Sequence, residues 1–151
     1  MKKIIFICTG NVCRSPMAEH YMQEKVTKMN KQNDYLIDSC GIYGEVGQKA
    51  TNNAIIAIKD YGVNMESHRA KSIYDVKLED YDLIITLTEA HKKNLIVLFP
   101  NVEDKVYTLK EYVSPNIEYK DIDDPWGYSL EVYKSCAKEI VKYVDKLTEK
   151  F

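Results

Sequence analysis

Two residues near the start of the chain, Cys8 and Arg14, have the types and the spacing that phosphoryl transfer needs. Cys8 ends a run of apolar residues, and Arg14 follows six positions later. A thiolate is a strong nucleophile, and a guanidinium presents N–H groups in a fork that matches two phosphoryl oxygens. The chain has nineteen lysines but only two arginines, Arg14 and Arg69. An arginine at this position therefore indicates a task that lysine performs poorly.

The residues between Cys8 and Arg14 predict a tight loop from a strand into a helix. Ser15 is a suitable N-cap for that helix, and Pro16 suits its first turn. Such a loop points backbone N–H groups inward and adds the positive end of the helix dipole, which binds anions and stabilises a thiolate. The predicted phosphate-binding residues are Thr9, Gly10, Asn11, Val12, Cys13, Arg14 and Ser15.

Other interpretations of this loop are weaker. It lacks the Gly-Lys-Ser/Thr of a Walker loop, and it has one glycine where a dinucleotide fingerprint has three. One alternative to a catalytic loop is that Cys8 is a structural cysteine at a strand end and Arg14 an incidental surface residue. A phosphate-binding module without catalysis is a further one, although it would not need a thiol at this place.

A polar segment at about 113–124 offers a general acid for the same reaction. It contains Asp121, Asp123 and Asp124, and the last is followed by Pro125 and Trp126. The proline fixes the backbone beside the carboxyl, and the indole gives a rigid apolar wall, which suits an acid that protonates a leaving group. Two alternatives are open at this point: a solvated acidic turn and a divalent-metal cluster, for which no other ligands have suitable spacing.

Elements that could position these residues alternate along the chain. Buried strands are predicted at 3–8, 35–39, 82–87 and 105–108, and helices at 15–29, 50–61, 89–98 and 129–150. This order predicts one α/β domain over residues 1–151, in three layers, with a four-stranded parallel sheet flanked by helices. Ligands bind beyond the carboxyl ends of such strands, which is where the loop after strand 1 lies.

Composition excludes several classes of function. Apolar residues make up 45% and charged residues 29% of the chain, and the net charge is −2. We therefore expect no nucleic-acid or membrane partner. The apolar start, Ile4 to Cys8, is too short for a signal peptide, so we expect a cytoplasmic protein with reduced thiols. We also expect a monomer or a weak dimer.

The segment Cys8-Thr9-Gly10-Asn11-Val12-Cys13-Arg14-Ser15-Pro16 resembles the signature of the low-molecular-weight protein tyrosine phosphatases. The resemblance continues, in order, through Asp38-Ser39-Cys40-Gly41, Ser67-His68-Arg69-Ala70 and Asp124-Pro125-Trp126-Gly127. It implies the fold predicted above and a phosphatase that uses no metal or cofactor and acts through a cysteinyl-phosphate. Its substrate would be a phosphorylated protein, and its product inorganic phosphate.

The resemblance also implies roles for particular residues. Cys8, Arg14 and Asp124 would be catalytic, with Asp124 the acid and then the base. Asn11, Ser15, Ser39 and His68 would hold the loop, and Ser15 would also bond the Cys8 thiolate. Cys13 would form a reversible disulfide with Cys8 that protects the nucleophile from over-oxidation. Cys13 could instead, or in addition, pack under the loop.

Two branches of this family differ in substrate, and the sequence carries features of both. A bulky aliphatic residue before Cys13 favours phosphotyrosine and a threonine marks the phosphoarginine branch; here the residue is Val12. The compact segment after Asp124 and the segment 104–112 look like the arginine branch. Because a hydroxyl-free wall suits an aromatic ring, and Trp126 could stack on it, phosphotyrosine is the main prediction and phosphoarginine the alternative.

A third activity on this scaffold, arsenate reduction, is disfavoured. It needs relay cysteines after the third strand, and residues 83–112 contain none.

Of the other polar residues, we expect Arg69 to make a surface ion pair, and His20 and His91 to be surface or half-buried. Cys40 and Cys136 are expected in the core.

Overall fold

The computed structural model describes residues 1–151 and contains one four-stranded sheet. The strands are β1 (Lys2–Cys8), β2 (Tyr35–Gly41), β3 (Leu83–Thr86) and β4 (Val106–Thr108), in the order β2-β1-β3-β4. Every pair of neighbouring strands is parallel. The predicted α/β fold with a parallel sheet is confirmed, and β1 occupies a central position.

Five α-helices flank the sheet: α1 (Arg14–Lys28), α2 (Asn52–Lys59), α3 (Glu89–Leu98), α4 (Leu109–Val113) and α5 (Leu130–Thr148). Short 3-10 helices span Leu78–Asp80 and Pro100–Lys105. The helix α4 was not predicted. It begins at a capping box in which Thr108 and Glu111 bond each other's backbone N–H groups. No helix in the structure is both long and apolar enough to cross a membrane.

The side chains of β1 alternate between two cores, as a strand buried on both faces requires. Ile4 and Phe6 belong to the larger core, which α1, α2 and α5 cover, whereas Ile5 and Ile7 belong to a smaller core under α3. Cys40 and Cys136 are buried, as predicted. Because helices cover both faces of the sheet, a ligand can reach it at the carboxyl end of β1.

Candidate active site: the loop after the first strand

The loop from Thr9 to Cys13 leaves its backbone N–H groups free. Its carbonyls are used in anchoring: those of Cys8, Thr9 and Val12 accept from the backbone N–H groups of Ile42, Tyr43 and Thr51, at 2.8–3.0 Å. The N–H groups of residues 9–13 donate to no protein atom. A concave run of unpaired N–H groups at a helix N-terminus binds an anion of phosphate size. The predicted cradle is therefore present in the backbone.

Two backbone features give the loop its shape. Asn11 has φ 58°, in the left-handed region that asparagine tolerates. Gly41, at the end of β2, presses against the loop, because a Cβ atom there would lie 2.6 Å from the Thr9 carbonyl oxygen and 2.8 Å from Asn11 N. A Cβ on Gly10 would meet nothing closer than 3.6 Å. The glycine that this loop requires is thus Gly41, whose role the sequence did not reveal.

The Asn11 side chain makes three hydrogen bonds, in which both N–H groups of its amide donate and its oxygen accepts once. Its amide nitrogen donates to Ser15 Oγ at 2.9 Å and to Ser39 Oγ at 2.8 Å, and its Oδ1 accepts from Lys71 N at 3.1 Å. His68 Nε2 lies 2.8 Å from the Asn11 carbonyl oxygen. The structure thus brings together all four predicted loop-supporting residues, Asn11, Ser15, Ser39 and His68. They are buried, which fixes the loop before any ligand binds.

Ser15 contacts Cys8 and does not cap the helix. Its Oγ lies 2.8 Å from Cys8 Sγ and accepts a bond from Asn11, so its single hydrogen is free to point at the sulfur. The N-cap position is Cys13, whose side chain makes no capping bond. The predicted capping role of Ser15 was wrong, because the helix begins at Arg14 and the Ser15 hydroxyl contacts Cys8 and Asn11 instead.

The guanidinium of Arg14 is almost completely buried and is held from two sides. Nη1 donates to the Ile122 carbonyl oxygen at 2.9 Å, and Nη2 lies 3.5 Å from Thr9 Oγ1. Nη2 is also 3.6 Å from Asp124 Oδ2. The second arginine, Arg69, makes no ion pair; it donates to the carbonyl oxygens of Glu66 and His68, so the predicted ion pair was wrong.

The three aspartates of the acidic segment have different surroundings. Asp121 accepts from the N–H of Glu89 at 2.8 Å, at the start of α3. Asp123 is bonded to the Tyr119 hydroxyl. Only Asp124 faces the loop, and its Oδ1 accepts from the N–H of Trp126 at 3.1 Å. The three carboxylates bond to different partners and do not converge, so they do not form a metal cluster.

A cleft of about 270 Å³ lies over the loop. The residues that line it include eight of those predicted from the sequence and one that was missed, Gln48. Cys13 also reaches the cleft, and its thiol contacts Tyr133 Oη at 3.4 Å and Thr51 Oγ1 at 3.5 Å. Burial raises the pKa of the Cys13 thiol. The eight predicted residues are Cys8, Thr9, Gly10, Val12, Cys13, Arg14, Asp124 and Trp126.

One histidine near the cleft was placed wrongly by the sequence. His20 is half-buried, as expected, but His91 is buried, and its Nε2 lies 2.8 Å from Thr9 Oγ1. Burial, reinforced by the charge of Arg14, lowers the pKa of His91 to about 4. Its Nδ1 has no hydrogen-bond partner. Its position in α3 gave no signal of this contact, which joins residues far apart in the chain.

Comparisons with known proteins agree with this geometry. Residues 3–151 match the family described as low molecular weight phosphotyrosine protein phosphatase. A protein-arginine-phosphatase of Geobacillus stearothermophilus is 33% identical, over 98% of this chain and 95% of its own. The low molecular weight protein-tyrosine-phosphatase PtpB of Staphylococcus epidermidis is 37% identical, over 96% of each.

Solved structures give the same result. The low molecular weight protein tyrosine phosphatase from T. tengcongensis superposes with a TM-score of 0.92 at 38% identity and covers both chains completely. A cysteine-to-serine mutant of the YwlE arginine phosphatase gives a TM-score of 0.91 at 31% identity, over 98% of this chain and 94% of its own. This chain belongs to the low molecular weight phosphotyrosine protein phosphatase family.

Proposed function

We propose that this chain is a metal-free protein phosphatase that hydrolyses phosphotyrosine through a cysteinyl-phosphate on Cys8. One observation carries the proposal. The Cys8 thiol lies in a rigid cradle of unpaired N–H groups, with the Arg14 guanidinium at its rim and the Asp124 carboxyl 3.6 Å from that guanidinium. A nucleophile, an oxyanion site and a proton donor thus meet around one cleft.

In the first step, Cys8 Sγ attacks phosphorus, an S–P bond forms, and the bond from phosphorus to the ester oxygen breaks. The Asp124 carboxyl gives its proton to that oxygen, so the leaving group departs as a neutral alcohol. The N–H groups of the loop and the fork of Arg14 stabilise the charge on the equatorial oxygens. The Ser15 hydroxyl donates to the sulfur when it carries negative charge.

In the second step, the Asp124 carboxylate takes a proton from water as the water oxygen attacks phosphorus. The S–P bond breaks, the electron pair returns to Cys8, and inorganic phosphate leaves. One relative supports this route: the YwlE mutant is described as carrying a phosphorylated active-site serine in place of cysteine. The substitution of Cys8 by Ser tests it and should abolish turnover of p-nitrophenyl phosphate while the fold persists; retained turnover would contradict it.

Phosphotyrosine is supported by the walls of the cleft. Val12 offers an aliphatic surface without a hydroxyl, and the exposed indole of Trp126 could stack on an aromatic ring. Phosphoarginine is the alternative, because two relatives at 33% and 32% identity are protein-arginine phosphatases. The deciding experiment compares kcat/KM on a phosphotyrosine and a phosphoarginine peptide, and repeats both with Val12→Thr. We expect the tyrosine peptide to be preferred and the preference to weaken in the variant; a preference for the arginine peptide would select the alternative.

We further propose that Cys13 protects Cys8 by a reversible disulfide. Both thiols are free in the structure, and they belong to the same loop. After treatment with hydrogen peroxide, tryptic mapping should find the two cysteines joined, and a thiol reductant should restore activity. Irreversible loss in Cys13→Ser but not in the unsubstituted protein would support the role; equal recovery in both would contradict it.

The setting that we propose follows from the same chemistry. A thiolate nucleophile requires a reducing compartment, which favours the cytoplasm. The substrate would be a phosphorylated protein, and the product inorganic phosphate. Each site residue comes from this one chain, so a monomer or a weak dimer would suffice. Turnover should persist in EDTA, and its complete loss there would contradict a metal-free step.

A further inference from the structure

Three side chains behind the loop, Glu19, His20 and His68, bring their donor atoms together. These atoms all lie within 4.8 Å of one another. His20 Nε2 is 3.0 Å from His68 Nδ1 and 3.7 Å from Glu19 Oε2. The two imidazole rings meet edge to face, with centroids 5.1 Å apart and an interplanar angle of 86°. The cluster lies on the far side of the loop from the cleft, and the proposed reaction uses none of its donor atoms directly.

The hydrogen bonds around His68 determine its tautomer. Its Nε2 faces the Asn11 carbonyl oxygen, which only accepts, so Nε2 carries the hydrogen. Nδ1 of the neutral ring therefore presents a lone pair to His20. Neutral imidazole is the form that binds a metal.

The spacing of the donors matches zinc. A tetrahedral ion with bonds of about 2.0–2.1 Å separates its ligand atoms by about 3.3 Å. Two of the donor separations, 3.0 and 3.7 Å, lie on either side of that value, and all three donors lie within 4.8 Å of one another. Two imidazoles and one carboxylate form a ligand set that zinc takes with a water as the fourth ligand.

The groups outside the cluster are those that a metal site needs. In ligating histidines, the N–H of the second ring nitrogen usually donates to a carbonyl or carboxylate oxygen, as His68 Nε2–H does to the Asn11 carbonyl oxygen. Glu19 is oriented by the Ser39 hydroxyl on one oxygen and by Gln23 Nε2, at 2.9 Å, on the other. The side chain of His20 is 17% exposed, so an ion and its water can enter from that edge.

We propose that Glu19, His20 and His68 form a Zn²⁺ site, with water as the fourth ligand. Binding needs no net proton release from the imidazoles. The hydrogen that His20 shares with His68 Nδ1 moves, through solvent, to His20 Nδ1. Because His68 and Glu19 also hold Asn11 and Ser39, an ion there tightens the support of the phosphate-binding loop from behind. The site is separate from the proposed catalytic step, which uses no metal.

The test must separate this site from the Cys8 thiolate, which also binds zinc. We would use the Cys8→Ser protein as the starting chain and titrate it with ZnCl₂ by calorimetry in a phosphate-free, non-chelating buffer. A second substitution, H20Q, removes one ligand, and the matched control H91Q removes a buried histidine outside the cluster. We expect one equivalent bound by the Cys8→Ser and H91Q proteins, and binding at least about 10-fold weaker in the H20Q protein.

A second readout does not depend on the H20Q variant. In the Cys8→Ser protein, long-range ¹H–¹⁵N spectra should show zinc shifting His20 Nε2 and His68 Nδ1 while His91 is unaffected. Zinc should also raise Tm of that protein and of the H91Q control, but not of the H20Q protein. Equal affinity with and without His20, loss of all binding once Cys8 is replaced, or shifts confined to His91 would each overturn the proposal.

Discussion

The phosphate-binding loop and the acidic segment that faces it are built in opposite ways. Asn11, Ser15 and Ser39 are fully buried, and their polar side-chain atoms are bonded to one another. Asp124, in contrast, is 53% exposed at its side chain and accepts only a local bond from Trp126. The site that binds charge is therefore fixed in advance, whereas the group that moves a proton lies at a solvated edge.

This difference fits the two tasks. Stabilising a charged transition state depends on dipoles that do not reorganise during the reaction, so a rigid cradle is favoured. A general acid must reload its proton between steps, and access to water makes that possible. The acidic segment is anchored before Asp124: the N–H of Ile122 donates to the Leu87 carbonyl oxygen at 2.9 Å, and the Ile122 carbonyl oxygen accepts from Arg14 Nη1 at 2.9 Å.

The largest effect is expected from a substitution in the exposed acidic segment, at Asp124. Asp124→Ala should lower kcat/KM by about 10³-fold for alkyl and other poor leaving groups. The loss should be much smaller for p-nitrophenyl phosphate, whose leaving group needs little protonation. The measurement is kcat/KM over a leaving-group series, because kcat/KM reports the first step alone, whereas kcat also includes the second step, in which Asp124 acts as the base. Asp123→Ala is the matched control, and a loss from that variant equal to that of Asp124→Ala would show that the acid is misassigned.

The next largest effect is expected from a substitution in the buried loop, at Arg14, that changes hydrogen-bonding geometry but not charge. Arg14→Lys keeps the positive charge but loses the fork and the bond to the Ile122 carbonyl oxygen, so kcat/KM should fall by about 10²-fold. Arg69→Lys is the control, because Arg69 bonds only to carbonyl oxygens away from the cleft. A near-normal rate in the Arg14 variant would mean that charge, not the fork, is what the loop requires.

A smaller effect tests whether the network behind the loop matters. Asn11→Ala removes the bonds to Ser15 and Ser39, and we expect kcat/KM to fall by about 10-fold through misplacement of the loop. Asn30 has the same φ of 58° but lies exposed after α1, so Asn30→Ala carries the same backbone cost outside the site. Equal kinetics in the two variants would reduce Asn11 to a turn residue.

The smallest effect concerns stability, at the unpaired Nδ1 of His91 beside the loop. Since the folded-state pKa is about 4 and that of a free histidine about 6.5, the unfolded chain binds the proton first as pH falls. Stability should therefore decline from pH 7 to pH 5, with a contribution from His91 of roughly 2 kcal/mol. Urea unfolding at both pH values should show a smaller decline in His91→Gln; an unchanged decline would contradict this account.

Much of the fold could be predicted because its signals are local. The run at 3–8, the helical spacing at 15–29 and the alternation of strands and helices are all properties of short segments, and the prediction of a parallel sheet follows from them. The helix α4 was missed, since its capping box lies within a segment that has strand propensity. The ends of α2 were also misplaced, because Thr51 caps that helix and its first residue, Asn52, lies two residues inside the predicted range.

The residues of the site, too, divide into those with a local sequence signal and those placed only by tertiary contacts. Cys8, Arg14 and Asp124 lie in motifs that the sequence shows directly. The contacts of Gly41, Gln48 and His91 join residues distant in the chain, and no local pattern reports them. The capping role of Ser15 failed for the same reason: its competing partners, Cys8 and Asn11, are set by the tertiary fold of the loop.

The central claim, that the buried loop carries the nucleophile and the exposed segment the acid, is tested most directly by trapping the intermediate. Asp124→Ala slows hydrolysis of the second step, so rapid quenching with p-nitrophenyl phosphate should leave a phosphoryl group on the tryptic peptide that contains Cys8. Mass spectrometry would locate it, and Cys8→Ser/Asp124→Ala is the control. We expect phosphate on Cys8 and on no other residue; a phosphate-free Cys8 during turnover, or a phosphoryl group on another residue, would contradict these assignments.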